Sequence, residues 1–248
     1  MNAEEYANLD RVERDHWYYA GKRVMVKEWL ERSGPPRPDQ LLLDCGAGTG
    51  RFALELQASC RVLVLDDHEE ALRLLRTRFR PEQILSLAGD AVPLPDASLD
   101  YVTALDVLEH VPDDSAVVRG FHRLLKPGGV AVVTVPASMA LWSDWDEALH
   151  HFRRYHRAQL TALFPPAEWD ILHVNYTNVL VYPVVWLVRK WRRLTGNRGV
   201  AGGARTEDKV PAAWLNRLLQ STFVSLARVR IPFPFGVSLL LVARRRTA

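Results

Sequence analysis

Short apolar runs, each closed by an acid, a glycine or a proline, alternate with stretches of helical period through the middle of the chain. Leu41-Leu42-Leu43-Asp44-Cys45 is the first of these runs, and a strand apolar on both faces predicts burial in a parallel sheet. It turns through Gly46-Ala47-Gly48-Thr49-Gly50 into a helical pattern from Arg51 to Gln57. Further strands are predicted at Arg61–Leu65 with Asp66 and Asp67 behind it, at Gln83–Ala88, at Leu99–Leu105 and at Val130–Pro136. The helices between them are expected over Glu69–Phe79, with Asp67 as cap, and from Asp113-Asp114 to Leu125, stopped by Gly128. Five strands alternating with helices predict an open α/β sheet with its ligand groups at the carboxyl ends of the strands.

The flanks have a different texture. Glu4–Arg32 reads as helical and carries the aromatic cluster His16-Trp17-Tyr18-Tyr19, either as a packing helix or as a lid over the sheet edge. Ser33–Pro38 breaks this segment. Beyond the fifth strand, residues 137–160 form an aromatic and basic insertion, and Trp169–Tyr176 reads as a sixth strand. Val179–Val188 is apolar, interrupted by Pro183, and ends in Arg189-Lys190-Trp191-Arg192-Arg193; ten residues are too few to span a bilayer. A glycine-rich and charged connection, an amphipathic helix over Pro211–Arg228 and a strand at Phe235–Ala243 complete the chain. The expected organisation is an N-terminal helical lid (1–38) and a Rossmann-like core (39–175, with the insertion 137–160). A helical substrate lid (176–230, with a flexible connection at 195–210) and a last strand with a basic tail (231–248) follow.

Composition narrows the function. With 48% hydrophobic and 25% charged residues, 248 residues suffice for a packed core and exclude wholesale disorder. A net charge of +3, its basic excess in the carboxyl-terminal third, is too small to indicate nucleic-acid binding. Two cysteines suggest neither a disulfide framework nor a zinc site, and no metal is expected. The polar start Met1-Asn2-Ala3-Glu4-Glu5 does not read as a signal peptide, so a cytoplasmic enzyme is expected.

The chemistry begins at the glycine turn. A dinucleotide fingerprint would place its third glycine at position 51, where this chain has Arg51; the pattern here is acid-x-G-x-G-x-G from Asp44 to Gly50. Asp66 falls 16 residues after Gly50, at the carboxyl end of the second strand, where a carboxylate can accept both hydroxyls of a ribose. In order and spacing, Asp44–Gly50, Asp66, Gly89-Asp90, Asp106-Val107-Leu108-Glu109-His110-Val111 and Leu124–Gly129 resemble the class I S-adenosylmethionine-dependent methyltransferases. More narrowly, they resemble the bacterial group related to the ubiquinone/menaquinone methyltransferases.

That resemblance implies a seven-stranded, mostly parallel sheet with helices on both faces, its last strand inserted antiparallel between the fifth and sixth. It implies S-adenosyl-L-methionine as cofactor, held by Asp44, Gly46, Gly48, Gly50, Asp66, Asp67, Asp90, Ala91 and Asp106. Asp90 would take the adenine amine. Apart from the resemblance, the lid reading of the N-terminal helix has its aromatics cover the cofactor and Arg23 approach a carboxylate. Similar proteins carry Gly-His-x-Arg-Arg-Tyr-Thr after the aromatic segment; here His150 replaces the glycine and His156 the threonine. The acceptor is expected to be a small or medium hydrophobic organic molecule, methylated at oxygen rather than nitrogen. His151 and His110 are the candidates for a general base, with Asp144 and Asp146 behind them. A protein of the same fold that cyclises, or that serves as a non-catalytic partner, is the alternative. Val179 to Arg228 reads as a lid before it reads as a peripheral membrane contact, and the oligomeric state is not legible.

Overall fold

The computed structural model describes residues 3–87, 91–195 and 209–247, with the backbone alone for residues 3–5 and 193. Asp90 and the glycine-rich connection Gly196–Gly203 lie outside the described residues.

Strand β1 (Leu41–Cys45) runs beside β2 (Arg61–Leu65) and β4 (Leu99–Leu105), and all are parallel. The outer strand β3 is only Ile84–Leu85, shorter than the predicted run, and β5 (Leu125–Pro136) extends the sheet on the other side. β7 (Ser238–Arg245) then lies antiparallel between β5 and β6 (Trp169–Thr177), which completes the order β3-β2-β1-β4-β5-β7-β6. This is the Rossmann-like sheet that the resemblance implies.

Alternation along the strands sends neighbouring residues to opposite layers. Leu42 packs with Met25, Val26, Trp29 and Leu30 of α2 (Trp17–Ser33), and with Phe52 and Leu56 of α3 (Arg51–Leu56). Leu43 packs on the other face with Val118 and Phe121 of α5 (Asp114–Leu124), and with Phe164 and Trp169. Leu42, Leu43 and Leu30 are fully buried, a class of side chain that contributes roughly 1.5–3 kcal/mol each. Helix α4 (Glu69–Arg78) closes the α2 side, and α7 (Arg157–Ala162) the other.

Several local expectations change. The N-terminal segment is two helices, α1 (Ala3–Val12) and α2, because His16 caps α2 by accepting the Tyr18 amide and Glu13 turns away to the glycine loop. Gly128 does not stop α5; that helix ends at Leu124, and β5 starts at once, with Leu125 paired to Leu99. Gly128 sits inside the strand with φ +83°. Asp67 does not cap α4: it is exposed, and the N-cap position belongs to His68, whose amide donates to Asp66. Helix α9 (Ala213–Ala227) packs on α2, where Phe223 meets Trp17 and Tyr18 and the Trp29 indole donates to the Ala227 carbonyl at 3.1 Å. No helix among the described residues is long and apolar enough to cross a membrane.

Candidate active site

The carboxyl ends of β1, β2, β4 and β5 open into a cleft of about 2320 Å³, well above the 300–1,000 Å³ of ordinary ligand pockets. It has room for two molecules. One end is built by the glycine turn. Gly46, Gly48 and Gly50 have φ of +67°, +56° and +77°, a region that side-chain-bearing residues avoid. A Cβ on Gly50 would come within 2.6 Å of Phe79 and Leu75, whereas Gly48 faces open space, so a ligand can approach its backbone. Asp66 is buried beside this turn; its Oδ2 accepts the Gly48 amide at 2.8 Å and its Oδ1 the His68 amide at 3.0 Å. Each oxygen keeps a lone pair directed elsewhere, as a ribose diol requires. Asp67 and Ala91 stand exposed on the rim of the same cleft.

Asp44 lies deeper and accepts the Thr103 hydroxyl at 2.7 Å. Burial, countered by that bond and reinforced by Asp66, pushes its carboxyl up to about 7. Between pH 4 and 7 the unfolded chain is ionised at Asp44 while the folded chain still holds the proton. Stability is therefore lost as pH rises through this window and levels off above it, at up to about 1.4 kcal/mol per pH unit. Asp44→Asn is expected to flatten this slope in denaturant titrations at pH 5 and pH 7.5. Parallel losses in the two proteins would show that Asp44 does not hold its proton.

Asp106 follows β4 with φ +58°, a conformation that Asp tolerates better than most residues. It accepts the Thr134 hydroxyl at 3.0 Å and pairs with the buried Lys22 of α2. Burial acts to raise its carboxyl, but Lys22 and the Thr134 bond outweigh that and hold it below the usual range. Lys22 also lies 4.5 Å from the Tyr18 ring centre, one helical turn back. Sequence reasoning chose Arg23 instead. Arg23 does line the cleft, but its guanidinium donates to Glu55 (2.8 Å), the Glu13 carbonyl (2.6 Å) and the Arg14 carbonyl (3.3 Å). The signal for Lys22 was its i+4 spacing from an aromatic residue. Glu13 ties the helical entry to the glycine turn by accepting from the Thr49 hydroxyl and from Arg51 Nε at 3.1 Å.

The far end is built by the insertion. Ser143 begins α6 (Asp144–Ala148), and the chain returns through His150, whose φ of +56° explains why similar proteins have glycine there. Asp146, 1% exposed, gathers this loop. Its carboxylate accepts Arg154 Nε at 2.7 Å and Nη2 at 3.1 Å, the Ser143 amide at 2.9 Å and His151 Nδ1 at 3.0 Å. Burial works to raise that carboxyl; the bonds from His151 and Arg154 outweigh it and pull it down to about 2. Asp144 has no such set of partners and only opens the helix. The His110 ring meets the His151 ring edge-on at 4.6 Å, and burial together with His151 lowers His110 to about 4. Glu109 is fully buried with neither oxygen bonded, and burial, with Asp106 adding to it, raises its carboxyl well above the usual range. Polar atoms of Glu109, His110 and His151 lie within 4.8 Å of one another. Arg153 bonds the Pro112 carbonyl at 2.7 Å and Asp114, so it fastens the insertion to the core.

The comparisons agree with this geometry. Residues 43–133 match a family described as a methyltransferase domain. A probable S-adenosylmethionine-dependent methyltransferase of Mycolicibacterium smegmatis is 33% identical over 162 residues, 64% of this chain and 62% of that protein. A ubiquinone/menaquinone biosynthesis C-methyltransferase of a Shewanella species is 31% identical over 121 residues, 45% of this chain and 48% of that protein. The chain thus covers less than two thirds of the length of either relative. Among solved structures, an S-adenosylmethionine-dependent methyltransferase from Thermotoga maritima superposes with a TM-score of 0.62 at 17% identity, covering 97% of this chain and 94% of that one. The glycine turn, the acids at the carboxyl ends of β1, β2 and β4, the strand order and these matches point the same way: residues 43–133 match a methyltransferase domain, and the chain is similar to class I S-adenosylmethionine-dependent methyltransferases, the ubiquinone/menaquinone group among them.

Proposed function

We propose that the protein binds S-adenosylmethionine at the glycine turn and transfers its methyl group to a hydroxyl of a hydrophobic organic acceptor, with His151 as general base. The observation that carries this reading is the Asp146–His151 pair. Asp146 is acceptor-only, so it fixes the proton of His151 on Nδ1 and leaves Nε2 as the basic atom. Arg154 clamps the carboxylate from two sides, so the ring orientation is set before any acceptor arrives.

When bound, the cofactor supplies a methyl group already activated on a sulfonium. The protein's own task is to orient and deprotonate. Asp66 and the Gly48 backbone would hold the nucleoside end, and Asp44, Asp106 and Lys22 would face the amino-acid end. Asp67 and Ala91 would stand on the adenine side, where the resemblance also calls for Asp90, and Arg23 supports the entry of α2. His151 Nε2 takes the acceptor's hydroxyl proton as the oxygen attacks, a step unnecessary for a neutral amine. His110, neutral above pH 4, forms the wall beside it. The hydrophobic acceptor is supported by Trp145, Leu149 and Val181 and by Val185 and Val188 of α8 (Tyr182–Thr195), which line the same cleft. On this reading α8 is the substrate lid.

A labelled-methyl screen of hydrophobic phenols, alcohols and matched amines, read by mass spectrometry, tests the proposal. Label on hydroxyl oxygen is the expected result. Label on amines alone would refute the oxygen assignment, and cofactor binding without any transfer would favour the cyclising or non-catalytic alternative.

A further inference from the structure

The inner face of α8 serves the cleft, with Val185, Arg189 and Arg192 directed to it. Its outer face has no such use. Leu187, Trp191 and Leu194 recur at four- and three-residue spacing, which places them on one side of the helix. Leu187 and Trp191 are each 58% exposed and Leu194 is 77% exposed, and Leu180 just ahead of the helix continues the stripe at 65%. Monomeric soluble proteins rarely leave a contiguous aliphatic and aromatic stripe in water.

Charge accompanies the stripe. Helix α8 carries Arg189, Lys190, Arg192 and Arg193 and no acid, and α9 carries Arg217 and no acid. Lys190 lies 4.7 Å from the centre of the Trp186 ring, with its ammonium exposed beside the apolar row. The asymmetry extends along the chain: residues 171–248 hold 13 Lys and Arg against two acids, whereas residues 1–170 hold 19 against 27. A net of +3 therefore conceals a carboxyl-terminal part at +11 and a remainder at −8.

We propose that the outer face of α8 docks on an anionic lipid bilayer, lying in the headgroup plane without crossing it. Aliphatic side chains and a tryptophan entering the acyl boundary, with lysine and arginine at headgroup level, are what such a surface selects. A second copy of this chain fits less well, because two α8 faces of like charge would repel. No described helix can span the bilayer, so the contact is peripheral. The docking surface stands apart from the chemistry. Its consequence, that the acceptor is drawn from the membrane along the inner face of α8, rests on the methyl-transfer reading given above.

Flotation of the purified full-length protein with vesicles of phosphatidylcholine, alone or with a third phosphatidylglycerol, tests the surface. Co-flotation is expected with the anionic vesicles only, falling about tenfold or more between low and high salt. Lys190→Glu is expected to lower the partition about tenfold or more, and Leu187→Asp with Trp191→Asp to abolish it at every salt concentration. None of these three residues lines the cleft. Circular dichroism and calorimetric titration with S-adenosylmethionine show whether each variant is folded; the wild-type salt and lipid dependence stands as a readout that needs no variant. Absence of flotation, or equal flotation with neutral vesicles, overturns the proposal. So does a dimer in sedimentation velocity that Leu187→Asp dissociates while no vesicles are bound. Loss of cofactor binding by the wild type would instead strike the methyl-transfer reading and leave the docking result to stand or fall alone.

Discussion

His151→Ala is expected to lower the rate of methyl transfer to a hydroxyl acceptor by about 10²–10⁴-fold, with the affinity for S-adenosylmethionine nearly unchanged. The separation follows from position. His151 belongs to the insertion, bonded to Asp146 and edge-on to His110, while the glycine turn and Asp66 occupy the other end of the cleft. His110 is a poor substitute, because burial and its neighbour hold its proton affinity down at about pH 4. The check is single-turnover kinetics at saturating acceptor, combined with calorimetry of cofactor binding. Near-normal turnover would make His151 structural. An equal loss of cofactor affinity would move it out of the acceptor end.

Asp146→Ala is expected to be the most destabilising single change in the insertion, costing about 3–5 kcal/mol. The reason is what it leaves behind. Arg154 is 7% exposed, and without Asp146 it keeps, among the described residues, only the Ala137 carbonyl at 3.2 Å for a buried positive charge. Ser143 loses its capping acceptor, and His151 loses the carboxylate that sets its ring. For a chain of this length the loss corresponds to a fall in melting temperature on the order of 10 °C. Asp146→Asn separates fold from chemistry. It keeps the shape and most of the loop, but its amide can present a donor to His151 Nδ1 and reverse the tautomer. Turnover is then expected to fall far more than stability, with a changed pH–rate profile. A melting temperature within about 2 °C of wild type for Asp146→Ala would mean that Arg154 reaches solvent and that the insertion does not depend on this carboxylate.

The contrast between the two ends of the cleft shows what a sequence can disclose. Asp44, the three glycines and Asp66 were legible because each is a local necessity. A strand that turns into a helix through positive φ needs glycine, and an apolar strand ended by an acid marks the crevice of an open sheet. Asp146 was only an outside candidate because its importance is non-local: it depends on Arg154 and His151 folding back over a loop that includes a left-handed His150. Lys22 was passed over for its neighbour Arg23, since periodicity alone does not tell which of two adjacent cations faces Asp106. The break between α1 and α2 was invisible for a similar reason. Glu13 to His16 are helix-compatible residues, and the helix ends there because Glu13 is engaged by Thr49 and Arg51, some 36 residues away. Gly128 misled because glycine after a helix usually caps it, whereas here pairing of Leu125 with Leu99 starts the strand first.

The central claim is that this cleft holds S-adenosylmethionine through the glycine turn and Asp66. Isothermal titration of the purified protein with S-adenosylmethionine tests it most directly, with S-adenosylhomocysteine and a nicotinamide dinucleotide as comparisons. Low-micromolar affinity for the first two is expected, roughly −7 to −9 kcal/mol, with no measurable heat from the dinucleotide. Asp66→Ala is expected to weaken S-adenosylmethionine binding by about 1.5–3 kcal/mol, because a buried carboxylate no longer accepts the ribose hydroxyls. Preference for the dinucleotide, or affinity for S-adenosylmethionine that Asp66→Ala leaves unchanged, would contradict the account.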